Sequence, residues 1–473
     1  MFNQFFQEAP EIRPSLNIGC LFDIPTGSYF TGKHGESILN GGLMYVTGVG
    51  GRGNTFKSTV AHFMALTALN RYQCAKALFY DAEPPSISRR RLRSLSEGMD
   101  YLSEHDLFEE ERATITDSSQ MSGNKLFQAI KDYSKVKTDK NKLKENMVTT
   151  PFIDDKGQTI RTFFPTIFEK DSLSMMPFDS VDAIYEKNEV GDSGMNVEAM
   201  KSSAAKSQML LQYPAITAPN NNFIIATAHM GDDIVMDPYA PPQKKLTFLK
   251  NKLKFKNVPE KFTFLTNNLW ITISASVLAH DTTKAPLYPK SSDDNIKGNT
   301  DLQCVIMQNL RAKNGPTGMP IEIIISQSEG VKVGLTEFNY IKAFDRFGLG
   351  GNLQNFFLEL VPDVNLSRTT IRTKIEESSK LKRALEITSE MLQIFNLHNP
   401  DQKYLCTPKE LYEQLKEKGY DWDVLLNTRG YWIYEETKHP LNFLSTLDLL
   451  KMRVGEYHPY WMDKKESKKE KQP

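Results

Sequence analysis

The run Gly48-Val49-Gly50-Gly51-Arg52-Gly53-Asn54-Thr55-Phe56-Lys57-Ser58-Thr59 gathers glycines, a lysine and hydroxyl side chains into one short segment. A glycine-rich turn feeding a helix points backbone N–H groups and the helix N-terminus at one spot, which suits a nucleotide phosphate chain. Against the template GxxxxGK[ST], Gly51 through Ser58 fits except at Phe56, which stands where the last glycine is expected. The chemistry implied is binding of ATP with Mg2+. Gly51 to Thr59 form the binding loop, Lys57 reaches the terminal phosphates, and the Ser58 hydroxyl ligates the metal.

These residues need a strand before them and a helix after them. Leu43-Met44-Tyr45-Val46 supplies the apolar stretch, and a helical pattern begins near Val60. A second apolar stretch, Ala77-Leu78-Phe79-Tyr80, runs into Asp81-Ala82-Glu83. Ligands of open α/β sheets gather at the carboxyl ends of the strands, so Glu83 is placed to orient or deprotonate a water attacking the last phosphate. Taken alone, an acidic residue at a strand end reads equally well as a solvated side chain.

Gly51 to Ser58 together with Leu78-Phe79-Tyr80-Asp81-Ala82-Glu83 resembles the RecA-type recombination ATPases, and the Phe-Lys-Ser ending is similar to the phage UvsX-like members. The resemblance implies an α/β fold, a RecA-like P-loop ATPase core with a mainly parallel sheet flanked by helices. It also implies Lys57 and Ser58 on phosphate and magnesium, Glu83 as the catalytic glutamate, and a homo-oligomer, filament or ring, with ATP between subunits. Single-stranded DNA, and single-strand-binding and loading proteins, are the partners it suggests. The place expected is the cytoplasm, the host's if the chain is phage-encoded.

By the same resemblance a strand ending in an aspartate supports the metal through water. Thr166-Ile167-Phe168-Glu169-Lys170-Asp171 is the first choice, although Glu169 and Lys170 are polar for a central strand. Asp179 is the rival, but Met176-Pro177 just before it spoils a buried strand, since proline cannot donate to a central ladder. Asn222 to Ala228 is a further apolar strand, and His229 follows it at the position of the phosphate sensor; a hydrogen-bonded structural histidine is the bland alternative. The polar stretch Glu186 to Lys206 matches the first DNA-binding loop and Met230 to Asn267 the second.

That second segment carries Lys244, Lys245, Lys250, Lys252, Lys254, Lys256 and Lys261 against Glu260, interleaved with Phe248, Phe255, Phe262 and Phe264. Lysines pair with phosphates and aromatic faces take unstacked bases, a combination suited to single strands. The alternative is a solvated amphipathic helix with its phenylalanines in the core. Further on, Gln303 to Met307 leads to Arg311 and Lys313 before the turn Asn314-Gly315-Pro316, with alternation resuming at Ile321. In RecA-like filaments the equivalent hairpin offers cations to ATP on the neighbouring subunit, so Arg311 and Lys313 are expected to act in trans; exposed turn cations are the other reading.

The chain has 473 residues, 40% of them hydrophobic, with 58 basic against 58 acidic side chains, so nucleic-acid contact must come from local patches. No apolar run approaches a membrane span and no secretory leader pattern opens the chain. The four cysteines are scattered, which argues against a disulfide framework or zinc site. The division expected is a lead-in (1–42), an ATPase core (43–345) with insertions near 135–162 and 230–267, a helical region (346–398) packing on the core, a small C-terminal domain (399–462) and a disordered charged tail (463–473). The insertion near 135–162 reads as a polar helix and hairpin on the surface. Thr407-Pro408 is a helix start and Gly419 its close. The leading function is a DNA-dependent ATPase promoting homologous pairing and strand exchange. A ring-forming helicase on the same fold and a nucleotide-gated DNA-binding scaffold with little turnover are the alternatives.

Overall fold

The computed structural model describes residues 10–185, 197–233, 246–250, 253–352, 354–436 and 439–462. A short antiparallel pair, β1 (Ser28–Thr31) and β2 (Ser37–Asn40), precedes strand β3 (Val46–Gly51), which leads through the glycine-rich loop into helix α1 (Lys57–Arg71). There follow β4 (Lys76–Asp81), α2 (Arg89–Ser96), β5 (Ala113–Asp117), α3 (Gly123–Lys137), α4 (Leu143–Asn146), the hairpin β6 (Met147–Ile153) and β7 (Thr159–Phe163), then β8 (Thr166–Asp171). Helices α5 (Asp179–Tyr185) and α6 (Glu198–Ile216) lead to β9 (Asn222–Asp232), β10 (Leu253–Phe255) and α7 (Lys261–Leu265). The core closes with β11 (Asn268–Val277), β12 (Leu302–Ala312), β13 (Pro320–Ser326), β14 (Gly330–Val331) and α8 (Val333–Ala343).

The central sheet has the order β14-β13-β12-β11-β3-β9-β8-β4-β5, with β10 added to the end of β9. Strands β11, β3, β9, β8, β4 and β5 run parallel, and β12 and β13 extend the sheet antiparallel. The protein is therefore an α/β molecule with a mainly parallel sheet flanked by helices. Parallel strands covered on both faces need apolar residues on both, and side chains alternate between them. Val49, Phe79, Ile167 and Ile225 meet α1 on one face, while Val46, Tyr80, Phe168 and Ile224 meet α3 and α6 on the other.

Beyond α8 the expectation of an immediately helical region needs correction. A three-stranded meander comes first, β15 (Leu349–Gly351), β16 (Asn355–Leu358) and β17 (Val361–Ser367), before α9 (Ile371–Glu377) and α10 (Ser379–Leu397). Its strands are short and pair only with each other, so their local pattern is weak beside the helical periodicity downstream. Then come α11 (Pro408–Glu417), α12 (Trp422–Leu426) and α13 (Thr446–Val454). Thr407 and Glu410 form a capping box at the head of α11, and Gly419 follows with φ +86°.

The β6–β7 hairpin is not a free surface elaboration. Phe152 at its heart is fully buried, edge-on to Trp432 at 5.2 Å and Phe30 at 6.0 Å, and Thr149 exchanges hydrogen bonds with Glu435. The hairpin thus ties the lead-in to the C-terminal region. Among the described residues no helix is long and apolar enough to cross a membrane. The expected tail, 463–473, lies outside the described residues.

Candidate active site

The parallel strands deliver their functional side chains to one edge. At the end of β3, Gly51 has no room for a side chain, because a Cβ there would lie 2.0 Å from Thr272 Oγ1 of β11. Thr272 Oγ1 stands 2.5 Å from Thr55 Oγ1, and the Thr55 hydroxyl donates to the Arg52 carbonyl at 2.8 Å, which fixes the loop from the neighbouring strand. Arg52 points outward to Asp232 at 2.5 Å, and Gly53 is open to solvent. Asn54 and Phe56 both occupy the left-handed region, with φ +56° and +62°. That explains the glycine in the template: an L-residue in this conformation costs about 1–2 kcal/mol, and glycine none. Phe56 accepts the conformation while its ring packs against the core.

Lys57 and Ser58 open α1, Lys57 being only 9% exposed; Thr59 is buried behind them. Across the edge, the Asp81 carboxylate shapes the chain after β4 by accepting from the backbone N–H groups of Glu83, Ser86 and Ile87 and from the Ser86 hydroxyl, at 2.6–2.9 Å. This turn presents Glu83, whose Oε1 accepts from Ser172 Oγ at 2.7 Å and lies 2.8 Å from His229 Nε2. Partial burial pushes the Glu83 carboxyl up. The hydrogen bonds from His229 and Ser172, with the charges of His229 and Lys57, outweigh it and hold the group below the ordinary carboxylate range.

His229 is itself seated: its backbone N–H donates to Ser174 Oγ at 2.8 Å, and the Ser174 hydroxyl donates to the Lys256 carbonyl at 2.8 Å. Asp171 closes β8 and its Oδ1 accepts from Thr227 Oγ1 of β9 at 2.5 Å. Asp179 instead begins α5 and is exposed. The polar residues of β8 find partners on opposite faces of the sheet. Glu169 meets His62 of α1 at 2.5 Å, and Lys170 Nζ donates to Tyr213 Oη of α6 at 2.9 Å, burial bringing that lysine down to about 7.

Ser58 and Asp171 offer a hydroxyl and a carboxylate, hard oxygen donors that suit Mg2+ when phosphate oxygens and water complete its shell. Among the described residues no group of three or more His, Cys, Asp or Glu side chains could hold a metal.

Arg311 and Lys313 do not join this site within one chain. Arg311 pairs in register with Leu269, which pairs with Gly48 at the start of β3, and its Nε donates to the Thr266 carbonyl at 3.0 Å. At about 3.3 Å per residue, that level is roughly 10 Å short of Gly51 along the sheet. Lys313 lies further the same way, its N–H on the Asn267 carbonyl.

Of the expected DNA-binding lysines, Lys244, Lys245 and Lys252 lie outside the described residues. Lys250 is exposed, Lys254 Nζ pairs with Asp233 at 2.7 Å, and Lys256 Nζ donates to the Asp232 carbonyl at 2.7 Å. Of the aromatic residues between them, Phe255 and Phe262 depart from the base-stacking expectation, while Phe248 and Phe264 are exposed. Phe255 and Phe262 lie against Gly50 and Gly48 of β3 and contact each other at 5.6 Å, while Phe248 covers Gly318. Glycines in the sheet leave hollows, and the rings fill them. Sequence reasoning missed Ser172, Ser174, Thr227, Thr272 and the His62–Glu169 pair. Ser172 carried a local signal, adjacent to Asp171; the others act across strands, which no local pattern records.

No protein-family model matches this chain, and no curated protein matches it. Among solved structures it is similar to the crystal structure of the RadB recombinase, at 16% sequence identity over 62% of this chain and 92% of that one, with a TM-score of 0.33.

Proposed function

We propose that this protein is a RecA-type, DNA-dependent ATPase that binds ATP with Mg2+, assembles on single-stranded DNA and promotes homologous pairing and strand exchange. The observation that carries the reading is the Glu83 carboxylate, held by His229 and Ser172 at the same edge as the phosphate loop and under the charge of Lys57.

In this reading the N–H groups of residues 51 to 59 and Lys57 bind the phosphates, and Ser58 with Asp171 holds Mg2+, which neutralises developing charge. Glu83, kept ionised by its neighbours, orients the attacking water by accepting its hydrogen bond. A carboxylate below its ordinary range is a poor proton acceptor, so its contribution is alignment more than proton removal. His229 links phosphate occupancy to Glu83 and, through Ser174, to the basic segment. Arg311 and Lys313, remote from their own loop, serve the nucleotide of the adjoining subunit, a head-to-tail arrangement that generates filaments when it does not close.

That remoteness also favours a second reading, a nucleotide-gated scaffold with little turnover, because Arg311 and Lys313 of an isolated protomer do not reach its own phosphates. ATP hydrolysis measured with and without single-stranded DNA separates the two. Strong stimulation together with helical filaments in negative stain supports the recombinase; nucleotide binding with no stimulation supports the scaffold.

A further inference from the structure

Helix α1 and strand β8 are fastened to each other one level beneath the phosphate loop. His62 Nδ1 lies 2.5 Å from Glu169 Oε1, and the side chains are 5% and 0% exposed. The His62 ring stands edge-on to Phe79 of β4 at 6.4 Å, and the buried Glu169 Oε2 has no hydrogen-bond partner. The pair is buried, and one hydrogen bond joins it.

Each member neighbours a candidate cation ligand on its own element. His62 follows Ser58 by one helical turn, and Glu169 precedes Asp171 by one side-chain repeat on the same strand face. Four helical residues advance about 6 Å and two strand residues about 6.6 Å, so the pairs Ser58/Asp171 and His62/Glu169 form successive rungs between helix and strand. Thr227 holds Asp171 from the β9 side. A buried polar pair adds little net stability over apolar residues of equal volume, so its use is better sought in register.

We infer that His62 and Glu169 are positioning residues for the cation: their contact sets the spacing between the Ser58 hydroxyl and the Asp171 carboxylate. The inference rests on the reading of this edge as a Mg2+-nucleotide site.

The test uses the full chain and a fluorescent ATP analogue, bound across a Mg2+ titration and again in EDTA, with a thermal melt to verify folding. The double variant His62→Leu/Glu169→Met leaves no buried charge and is expected to need about tenfold more Mg2+ for half-maximal binding, with binding in EDTA changed less than about twofold. Glu169→Gln, whose amide oxygen still accepts from His62, should stay near the unaltered protein. Should the double variant fail to fold, His62→Asn, too short to span the gap, carries the same expectation. An unchanged Mg2+ requirement, or equal losses with and without Mg2+, overturns this inference alone. No nucleotide binding by the unaltered chain overturns the site reading and this inference with it.

Discussion

His229 Nε2 and Glu83 Oε1 stand 2.8 Å apart over the carboxyl edge of the sheet, joining β9, at the last residue it pairs with β3, to the turn after β4. Ser172 from the end of β8 meets the same oxygen. Three strand ends therefore converge on one carboxylate, and the order β9-β8-β4 in the sheet is what makes them adjacent.

Glu83→Gln keeps the shape and loses the charge. ATP turnover should fall by about 10²–10⁴-fold while nucleotide affinity stays within about threefold. Phosphate release and equilibrium binding measured side by side check this, and surviving turnover would remove Glu83 from the proposed role.

His229→Ala removes the first of the groups that hold the Glu83 carboxyl low. The carboxyl then moves up toward its ordinary value, so the acid limb of kcat shifts to higher pH. In the unaltered protein the stability owed to the ionised form is present above about pH 4.3, the unfolded value, and is lost as pH falls through the lowered folded value. A pH–rate profile with an unmoved acid limb would contradict the link between the two side chains.

Phe56 offers a reversal of ordinary propensity. Both Phe56→Gly and Phe56→Ala lose the ring packing, but only glycine relieves the left-handed backbone, so the glycine variant should be more stable than the alanine variant by about 1 kcal/mol. Thermal or urea denaturation reads the difference. Alanine proving the more stable would show that the loop is not left-handed at this position.

Changing Lys250, Lys252 and Lys254 together to Ala should weaken single-stranded DNA binding and flatten its log–log salt slope by about 2, at roughly 0.7 per lost phosphate contact. Fluorescence anisotropy over a salt series provides the slope. An unaltered slope places the basic segment off the DNA path.

Stability should also fall toward alkaline pH. Glu390 of α10 accepts from Thr446 Oγ1 at 2.5 Å; burial first, then the nearby Glu386 charge, pushes its carboxyl up to about 8. The folded state favours the protonated form, so the stabilisation is complete below about pH 4.3 and is lost as pH rises through about 8. The melting temperature should drop between about pH 4.3 and pH 8, and Glu390→Gln should reduce that drop. An equal drop in the variant would clear Glu390 of responsibility.

What the amino-acid order determined by itself was local. The glycine-rich loop, the strand running into Glu83 and the capped start of α11 are each written in contiguous residues, because turn geometry, helix capping and strand ends depend on near neighbours. Tertiary structure decided the rest. Glu169 and Lys170 look wrong for a central strand until His62 and Tyr213 arrive from α1 and α6. The lysine-rich segment reads as a base-stacking platform until the glycines of β3 claim Phe255 and Phe262. Arg311 and Lys313 belong to a hairpin in sequence, but the antiparallel course of β12 carries them away from their own chain's loop. A side chain's surroundings are set by elements distant in the chain, and burial, pairing and register exist only once those elements meet.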